Sequence, residues 1–495
     1  MRLATRAARV VSLFLLVARP LLAGEQIMAE FKDKRAVSPE ALRQVPLKSV
    51  VTEFLDPGDT GLGKSLSYLL WRETLTAISD QAGAGVIVAE APAGERLVDL
   101  LQQDYHTAAL RIATNQRARL ALWGAVDAER DRLFVDTYLT VLTAEGASDL
   151  RLKLAARTME PGDAQRQIDK ATSAFEARLG RSRFGLATVE TTREELFARP
   201  LVLERAATLR ERPVFDAPVL ARVPAGSVLQ SVDMDGAWFV VRLDDGRRGY
   251  LPAGRQEGST GTLMALTLPP KYVDAAATAV TLRTGPGKQQ PVARTRDLRG
   301  RFRVLDMRYK PQQGLWYRIA LEQGSAWVPA YQVRPRFSLP AVHLLAGFYR
   351  YYAERFADAA GEFESFLTGL PASESAANRA TALQLLGASR LVSGDKSAAW
   401  KALTQSIETT PYDPDAYMTR SIACVGLGRP DTALDDVSKA LELDPRNQQA
   451  RSFALAIWEV AERRTAHELT NLSRLDTQRA RSAELLRRYG IKPSE

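Results

Sequence analysis

Thr281-Leu-Arg-Thr-Gly-Pro-Gly287, then Gly314-Leu-Trp-Tyr-Arg-Ile319, then Gly324-Ser-Ala-Trp-Val-Pro329 is the text that decides how this chain is read. A weaker copy lies upstream: Ala207-Thr-Leu-Arg-Glu-Arg-Pro213, Pro224-Ala-Gly226, Gly236-Ala-Trp-Phe-Val-Val-Arg-Leu243 and Arg248-Gly-Tyr-Leu-Pro252. Corresponding positions lie about one small domain apart, so the two form a tandem pair. In each copy short β-branched and aromatic runs alternate with turn residues, the pattern of a small β-barrel.

Both copies resemble bacterial SH3-like domains, which bind cell-wall or peptide ligands and do no chemistry. The expected modules are 196–253 and 271–335, joined by a Gly/Thr/Pro-rich linker at 254–270. In the second, Arg283, Thr284, Gly285 and Pro286 match the family's opening turn; the first departs there, with Glu211 and a shifted Pro213. The resemblance implies a ligand groove at Trp238, Tyr250, Arg283, Trp316 and Trp327. Aromatics in small barrels also serve as core, and both readings stand. A basic run follows in the second module: Arg294, Arg296, Arg299, Arg301 and Arg303 alternate with Phe302 and Val304. It is either a contact to an anionic partner or a solvated strand whose charges block edge pairing.

At 495 residues the chain exceeds one ordinary core, and about three or four domains are expected. A 45% hydrophobic and 25% charged composition is globular, and a net charge of +9 permits an acidic partner without naming one. Arg2, Arg6 and Arg9 precede an apolar run from Val10 to Ala18, then Ala23 and Gly24. This predicts a cleaved secretory signal over 1–24 and a soluble, periplasmic protein, without a membrane span. Glu25 stands where a lipid-bearing cysteine would have to be, so no lipid anchor is expected. The sole cysteine, Cys424, excludes an intramolecular disulfide and reads as a buried small apolar residue.

After a polar linker at 25–47, the pattern over 48–190 is strand, helix, strand, helix and three further strands. The expected strands are 50–55, 85–90, 120–128, 132–142 and 150–157; the helices are 62–79, 94–117 and 163–179. The last three strands read as an antiparallel meander. Phe54 at a strand end, Leu62-Gly63 opening a helix, and Ala121-Leu-Trp-Gly-Ala-Val126 resemble the amino-terminal domain of TolB and the related curli-pore families. That resemblance implies an assembly or recognition domain.

From Leu339 the period becomes helical. Ala359, Ala399 and Ala433 recur with Pro371, Pro411 and Pro445, and the last unit closes Ala440-Leu-Glu-Leu-Asp-Pro445. Small residues at fixed positions let paired helices approach, and each proline stops a second helix. The segment 339–447 resembles tetratricopeptide (TPR) repeats, with capping helices over 448–495. The resemblance places Leu344, Phe348, Tyr351, Met418, Ile422 and Val425 along a concave peptide groove; the alternative is packing between repeats. The expected class is multidomain α+β: an α/β domain, two barrels and a helical solenoid.

Gly58-Asp-Thr-Gly-Leu-Gly63-Lys64-Ser65 matches G-x-x-x-x-G-K-[ST] between a strand and a helix. In a P-loop the amides cradle phosphates, the lysine reaches the terminal phosphates and the hydroxyl holds magnesium. The expected meander and export both argue against nucleotide, as does the lack of a clean second acid near Glu90 or Asp127. His106, His343 and His467 are far apart, so no metal site is expected. Asp435-Asp436 reads as solvated surface. No catalytic signature and no cofactor emerge, nucleic acid is not an expected partner, and the oligomeric state stays open. The chain reads as a scaffold meeting proteins or peptides through its repeats, and peptidoglycan or another anionic envelope polymer through its barrels. Its rivals are an accessory subunit of an outer-membrane assembly and a nucleotide-binding regulator.

Overall fold

The computed structural model describes residues 26–30, 47–79, 84–89, 105–142, 150–153, 176–179, 182–243, 245–254, 265–310, 312–464 and 472–492. The expected signal segment, His467 and Glu90 lie outside them. The chain divides into two compact units, Met1–Asp136 with Glu190–Ser338, and Thr137–Val189 with Leu339–Glu495.

The first unit opens with β1 (Gln26–Glu30), β2 (Leu47–Thr52), α1 (Leu62–Ala77), β3 (Ala84–Ala89), α2 (Tyr105–Asn115), β4 (Leu120–Glu129) and β5 (Arg132–Val141). Their sheet order is β1-β3-β2-β4-β5. β2 pairs in parallel with β3, Val50 opposite Ile87, and in parallel with β4, Val50 opposite Ala121. Every residue of β2 and β3 is buried, as strands covered on both faces require. Two expectations are corrected here. β1 runs antiparallel beside β3, so part of the supposed linker is an edge strand. β4 and β5 form a hairpin through Arg130, at φ 55°, but β4 is parallel to β2. The meander is therefore confined to β4 and β5.

Three sequence signals meet physically in this sheet. A Cβ at Gly63 would lie 2.1 Å from the Phe54 carbonyl oxygen, and one at Gly124 would lie 2.5 Å from the Phe54 ring. Glycine at both positions lets the helix start and the strand close on Phe54. Leu55 also bridges to Ala125, its amide donating to the Gly124 carbonyl at 2.9 Å.

β8 and β9 (Arg183–Gly185, Val189–Thr191) lead to α3 (Arg193–Phe197), capped by Thr192 Oγ1 accepting from the Glu195 amide. The first barrel comprises β10 (Arg199–Leu203), β11 (Ala207–Arg210), β12 (Val219–Val223), β13 (Val228–Asp235), β14 (Trp238–Arg242), β15 (Arg248–Pro252) and β16 (Leu266–Thr267). Its strand order is β12-β11-β15-β14-β13-β10-β16. Helix α1 is fastened to it by buried polar groups. Arg72 donates to the carbonyls of Ala253 and Leu266 at 2.7 and 3.1 Å, and Thr76 to Leu268 at 2.8 Å. Glu73 receives Arg199 at 2.5 Å, with both side chains fully buried. The second barrel comprises β17 (Tyr272–Arg283), β18 (Val292–Lys310), β19 (Gly314–Ala320), β20 (Ser325–Pro329) and β21 (Arg334–Arg336). β18 pairs with both β17 and β19, closing the ring around Val273, Leu282, Leu298, Val304, Ile319 and Val328.

In the second unit, β5 residues Tyr138–Thr140 pair with β8. Among the described residues β6 (Leu150–Lys153) pairs only with β7 (Glu176–Leu179), which corrects both its place in a meander and the end of the helix expected over 163–179. The rest of that expected helix lies outside the described residues. The helices α4 (Pro340–Tyr352), α5 (Phe356–Gly369), α6 (Ala376–Val392), α7 (Lys396–Thr409), α8 (Pro414–Gly426), α9 (Pro430–Leu443), α10 (Gln448–Arg464) and α11 (Leu472–Arg488) stack as pairs. Ala359, Ala399 and Ala433 are fully buried, and a Cβ at Gly387 would lie 2.6 Å from Leu403. Close helix approach is thus built on small residues. β7 packs against α6 and α8, with Ala177 and Leu179 buried.

Candidate functional site

The loop after the first long strand is built alike in both barrels. In the first, Arg210 donates its guanidinium to the Ala217 carbonyl, Glu211 N to Pro218 O at 3.1 Å, and Ala217 N to Val214 O at 3.3 Å. In the second, Arg283 donates to Gln290 O at 2.5 Å, Thr284 N to Pro291 O at 3.1 Å, and Gln290 N to Gly287 O at 3.2 Å. Arg210 pairs across strands with Tyr250, and Arg283 with Trp327. Arg283, expected in a ligand groove, is thus committed to a loop carbonyl.

The faces these loops present differ. Trp238 is buried beneath Phe215, the ring centroids 4.8 Å apart. Phe215 is 43% exposed, flanked by Val214 at 42% and Val219 at 49%. An aromatic ring resting on a tryptophan, ringed by exposed valines, is a ready contact for an apolar or sugar face. Sequence reasoning missed Phe215, because it lies in a turn rather than on a strand. Its signal was an apolar pair, Val214-Phe215, between Pro213 and Pro218. In the second barrel that loop carries Lys288 and Gln289. Gln313 closes it, accepting from Lys288 N at 2.7 Å and donating to Gln289 at 3.1 Å. Trp316 and Trp327 are buried, and Tyr250 is half-buried. Trp316, 1% exposed and with no partner for its indole nitrogen among the described residues, belongs to the interior and not to a groove.

The five basic-run arginines all lie on β18. Arg294, Arg299, Arg301 and Arg303 are exposed and Arg296 is half-buried. The intervening Leu298 and Val304 face the core.

The loop at Gly58–Ser65 holds a carboxylate where a phosphate would sit. Asp56 accepts from the Thr60 amide at 3.0 Å, from its hydroxyl, and from the Gly63 amide at 3.4 Å. The Ser65 hydroxyl is buried and donates to Gly61 O at 3.0 Å. Gly63 is fixed by contact with Phe54. The strands around α1 are parallel, contrary to one sequence argument against nucleotide, yet the loop's own amides and hydroxyl are already engaged. The Lys64 stem lies 3.6 Å from where a Cβ at Gly236 would stand.

The helical positions expected to line a groove are instead interior. Leu344, Phe348, Tyr351, Met418 and Val425 are buried, and Ile422 is half-buried against the core of the last helices. Phe348 packs on Phe363 and Phe184. Asp436 is also buried, correcting its reading as solvated; Arg420 grips it at 2.6 and 3.0 Å. Burial nonetheless raises the Asp436 carboxyl above the usual aspartate value. It lifts the Cys424 thiol to about 12, with the Asp436 charge adding to the effect. His343 contacts Glu362 at 2.8 Å, and His106 stacks on Trp123. Among the described residues no cluster of metal-ligating side chains forms, and no helix is long and apolar enough to cross a membrane.

Residues 205–255 match the bacterial SH3 domain family. No curated protein matches the chain. Among solved structures, a crystal structure of MamA is 19% identical, covering 31% of this chain and 81% of its own, with a TM-score of 0.23. MamA 41-end from Desulfovibrio magneticus RS-1 is 19% identical over 30% of this chain and 76% of its own, also at 0.23. NlpC2 from Trichomonas vaginalis is 8% identical over 29% and 49%, at 0.15. Scores this low carry no argument. The matched segment is a bacterial SH3 domain covering β11 to β15 of the first barrel, inside a larger α+β chain.

Proposed function

We propose that this protein is a non-enzymatic, exported scaffold of the cell envelope. Its first barrel binds peptidoglycan or a wall-derived peptide, and its helix pairs form a TPR array that holds a protein partner. The second barrel is a second SH3-like module, a reading supported by the loop clamp repeated at Arg210 and Arg283. The parallel sheet serves as a TolB-like assembly domain. Several modest sites on one chain raise one another's effective concentration, so no single deep pocket is required.

One observation carries the reading: the exposed Phe215 ring, resting on the buried Trp238, on the domain that matches the bacterial SH3 family. Titrating the protein with soluble peptidoglycan fragments, followed by tryptophan fluorescence, tests it. Phe215→Ala should weaken binding about tenfold or more, as loss of an aromatic anchor does. An unchanged affinity in the variant would remove the first barrel from the binding account.

A further inference from the structure

The outer face of the second barrel gathers more cations than the run on β18. β21 and β18 flank β17, pairing Arg336 with Tyr272 and Tyr272 with Arg303, then Arg334 with Asp274 and Asp274 with Arg301. Alternation puts Val273, Leu298 and Val304 inside, so Arg299, Arg301, Arg303, Arg334 and Arg336 share the outside. Within these paired rows the only carboxylate is Asp274, shared by Arg301 at 3.3 Å and by Arg336. Nearby, Asp297 accepts the Ala279 amide at 3.0 Å, and the carbonyls of Glu194 and Glu195 hold the Lys271 ammonium at 3.1 Å. The guanidinium of Arg301 and the ammonium of Lys271 both lie within 6 Å of the Tyr272 ring centre, at 5.8 and 5.7 Å. Burial, then the charge of Arg199, lower the Lys271 ammonium below the usual lysine value, against the opposing carboxylates of Glu195 and Glu194 at the edge of this face.

The layout of these charges narrows the partner. Along a strand, alternate arginines are about 7 Å apart, and the rows on β18 and β21 are about 10 Å apart. All rise from one side of a paired sheet: Arg301 and Arg336 meet on the carboxylate of Asp274, which already fills the point between them, and Arg299, Arg303 and Arg334 spread over the area around it. A linear polymer would engage one row. Two rows with an amphipathic tyrosine between them suit a plane of anionic headgroups, where tyrosine settles at the interface. We infer that this face docks on an anionic phospholipid surface, a contact beyond the wall and protein partners proposed above and independent of them.

The test is sedimentation of the full chain with vesicles of phosphatidylcholine, alone or with about 30 mol% phosphatidylglycerol to supply an anionic surface potential. Pure phosphatidylcholine reads any contribution of the apolar run Val10–Ala18. The wild-type chain should pellet with the anionic vesicles at low salt and be released at about 1 M salt, where the Debye length is about 3 Å. A basic residue at such a surface is worth about fivefold in partitioning, so Arg299→Gln/Arg301→Gln/Arg303→Gln should lose on the order of a hundredfold. Asp274→Asn should gain about fivefold, an effect unfolding would not mimic. The inference fails if the wild type ignores phosphatidylglycerol, or if the triple variant binds it equally well. It fails also if the chain pellets with protein-free peptidoglycan in the same salt-dependent way but not with vesicles.

Discussion

The buried pair Glu73–Arg199 offers the sharpest stability prediction. Glu73 lies on α1 and Arg199 on β10, so their contact fastens the parallel sheet's helix to the first barrel. Both side chains are fully buried. The arginine also donates to Leu196 O at 2.7 Å and to Ser338 Oγ at 2.6 Å. The carboxylate further accepts from Ser338 N at 3.0 Å and from its hydroxyl at 2.8 Å. Removing one partner of a buried pair costs about 3–5 kcal/mol. Arg199→Met leaves the carboxylate two donors at Ser338, so about 3 kcal/mol is expected. Glu73→Leu removes the counter-charge of a buried guanidinium whose Nε has no partner among the described residues, so about 5 kcal/mol is expected. The double variant removes both charges and should cost about 2 kcal/mol or less, far below the sum of the singles. The assay is calorimetry of the transition that includes the barrels, where each single variant should lower Tm by about 10 °C. Singles that cost under about 1 kcal/mol, or a double variant equal to their sum, would refute the reasoning.

Other outcomes follow from the same structure. Gly63→Ala would drive a Cβ into the Phe54 carbonyl at 2.1 Å and should destabilise the unit by about 1–3 kcal/mol, read by denaturant midpoint. Lys64→Ala should leave nucleotide titrations as flat as those of the wild type, since Asp56 occupies the loop amides. Burial alone would push the Glu362 carboxyl up; His343 and Arg350 outweigh it and hold it below the usual glutamate value. A depressed carboxyl stabilises the fold above its unfolded pKa and loses that contribution as pH falls through the folded value. Acid titration of helix content should therefore show a loss below about pH 4 that Glu362→Gln abolishes. Cys424, buried and raised to about 12, should resist alkylation at neutral pH until the helices unfold.

Much of this architecture was legible because its signals are local. Turn residues at Thr284–Gly287 and Pro224–Gly226 mark the corners between strands, and the spacing of Ala359, Ala399 and Ala433 marks where helices touch. Phe54, Gly63 and Gly124 were noticed as separate patterns, and the structure supplies their common cause, one ring and one carbonyl needing space. What sequence could not give was pairing at a distance. Strand β1 looked like linker because an edge strand carries little pattern of its own, and β4 was read as antiparallel because parallel pairing is invisible locally. The candidate groove residues Leu344, Met418 and Val425 were drawn from a repeat pattern that does not separate inward-facing from inter-repeat positions; burial separates them. The P-loop match shows a similar limit. No motif reveals that Asp56, upstream of it, folds back over its amides.

The central claim is that the first barrel recognises the cell wall through Phe215. Co-sedimentation of the full chain with protein-free peptidoglycan, beside Phe215→Ala and with matched melting curves, tests it most directly. The account predicts that the wild type pellets and that the variant, equally folded, stays about tenfold more in the supernatant. If both pellet alike, or if neither does, the exposed Phe215 ring is not a wall-binding surface.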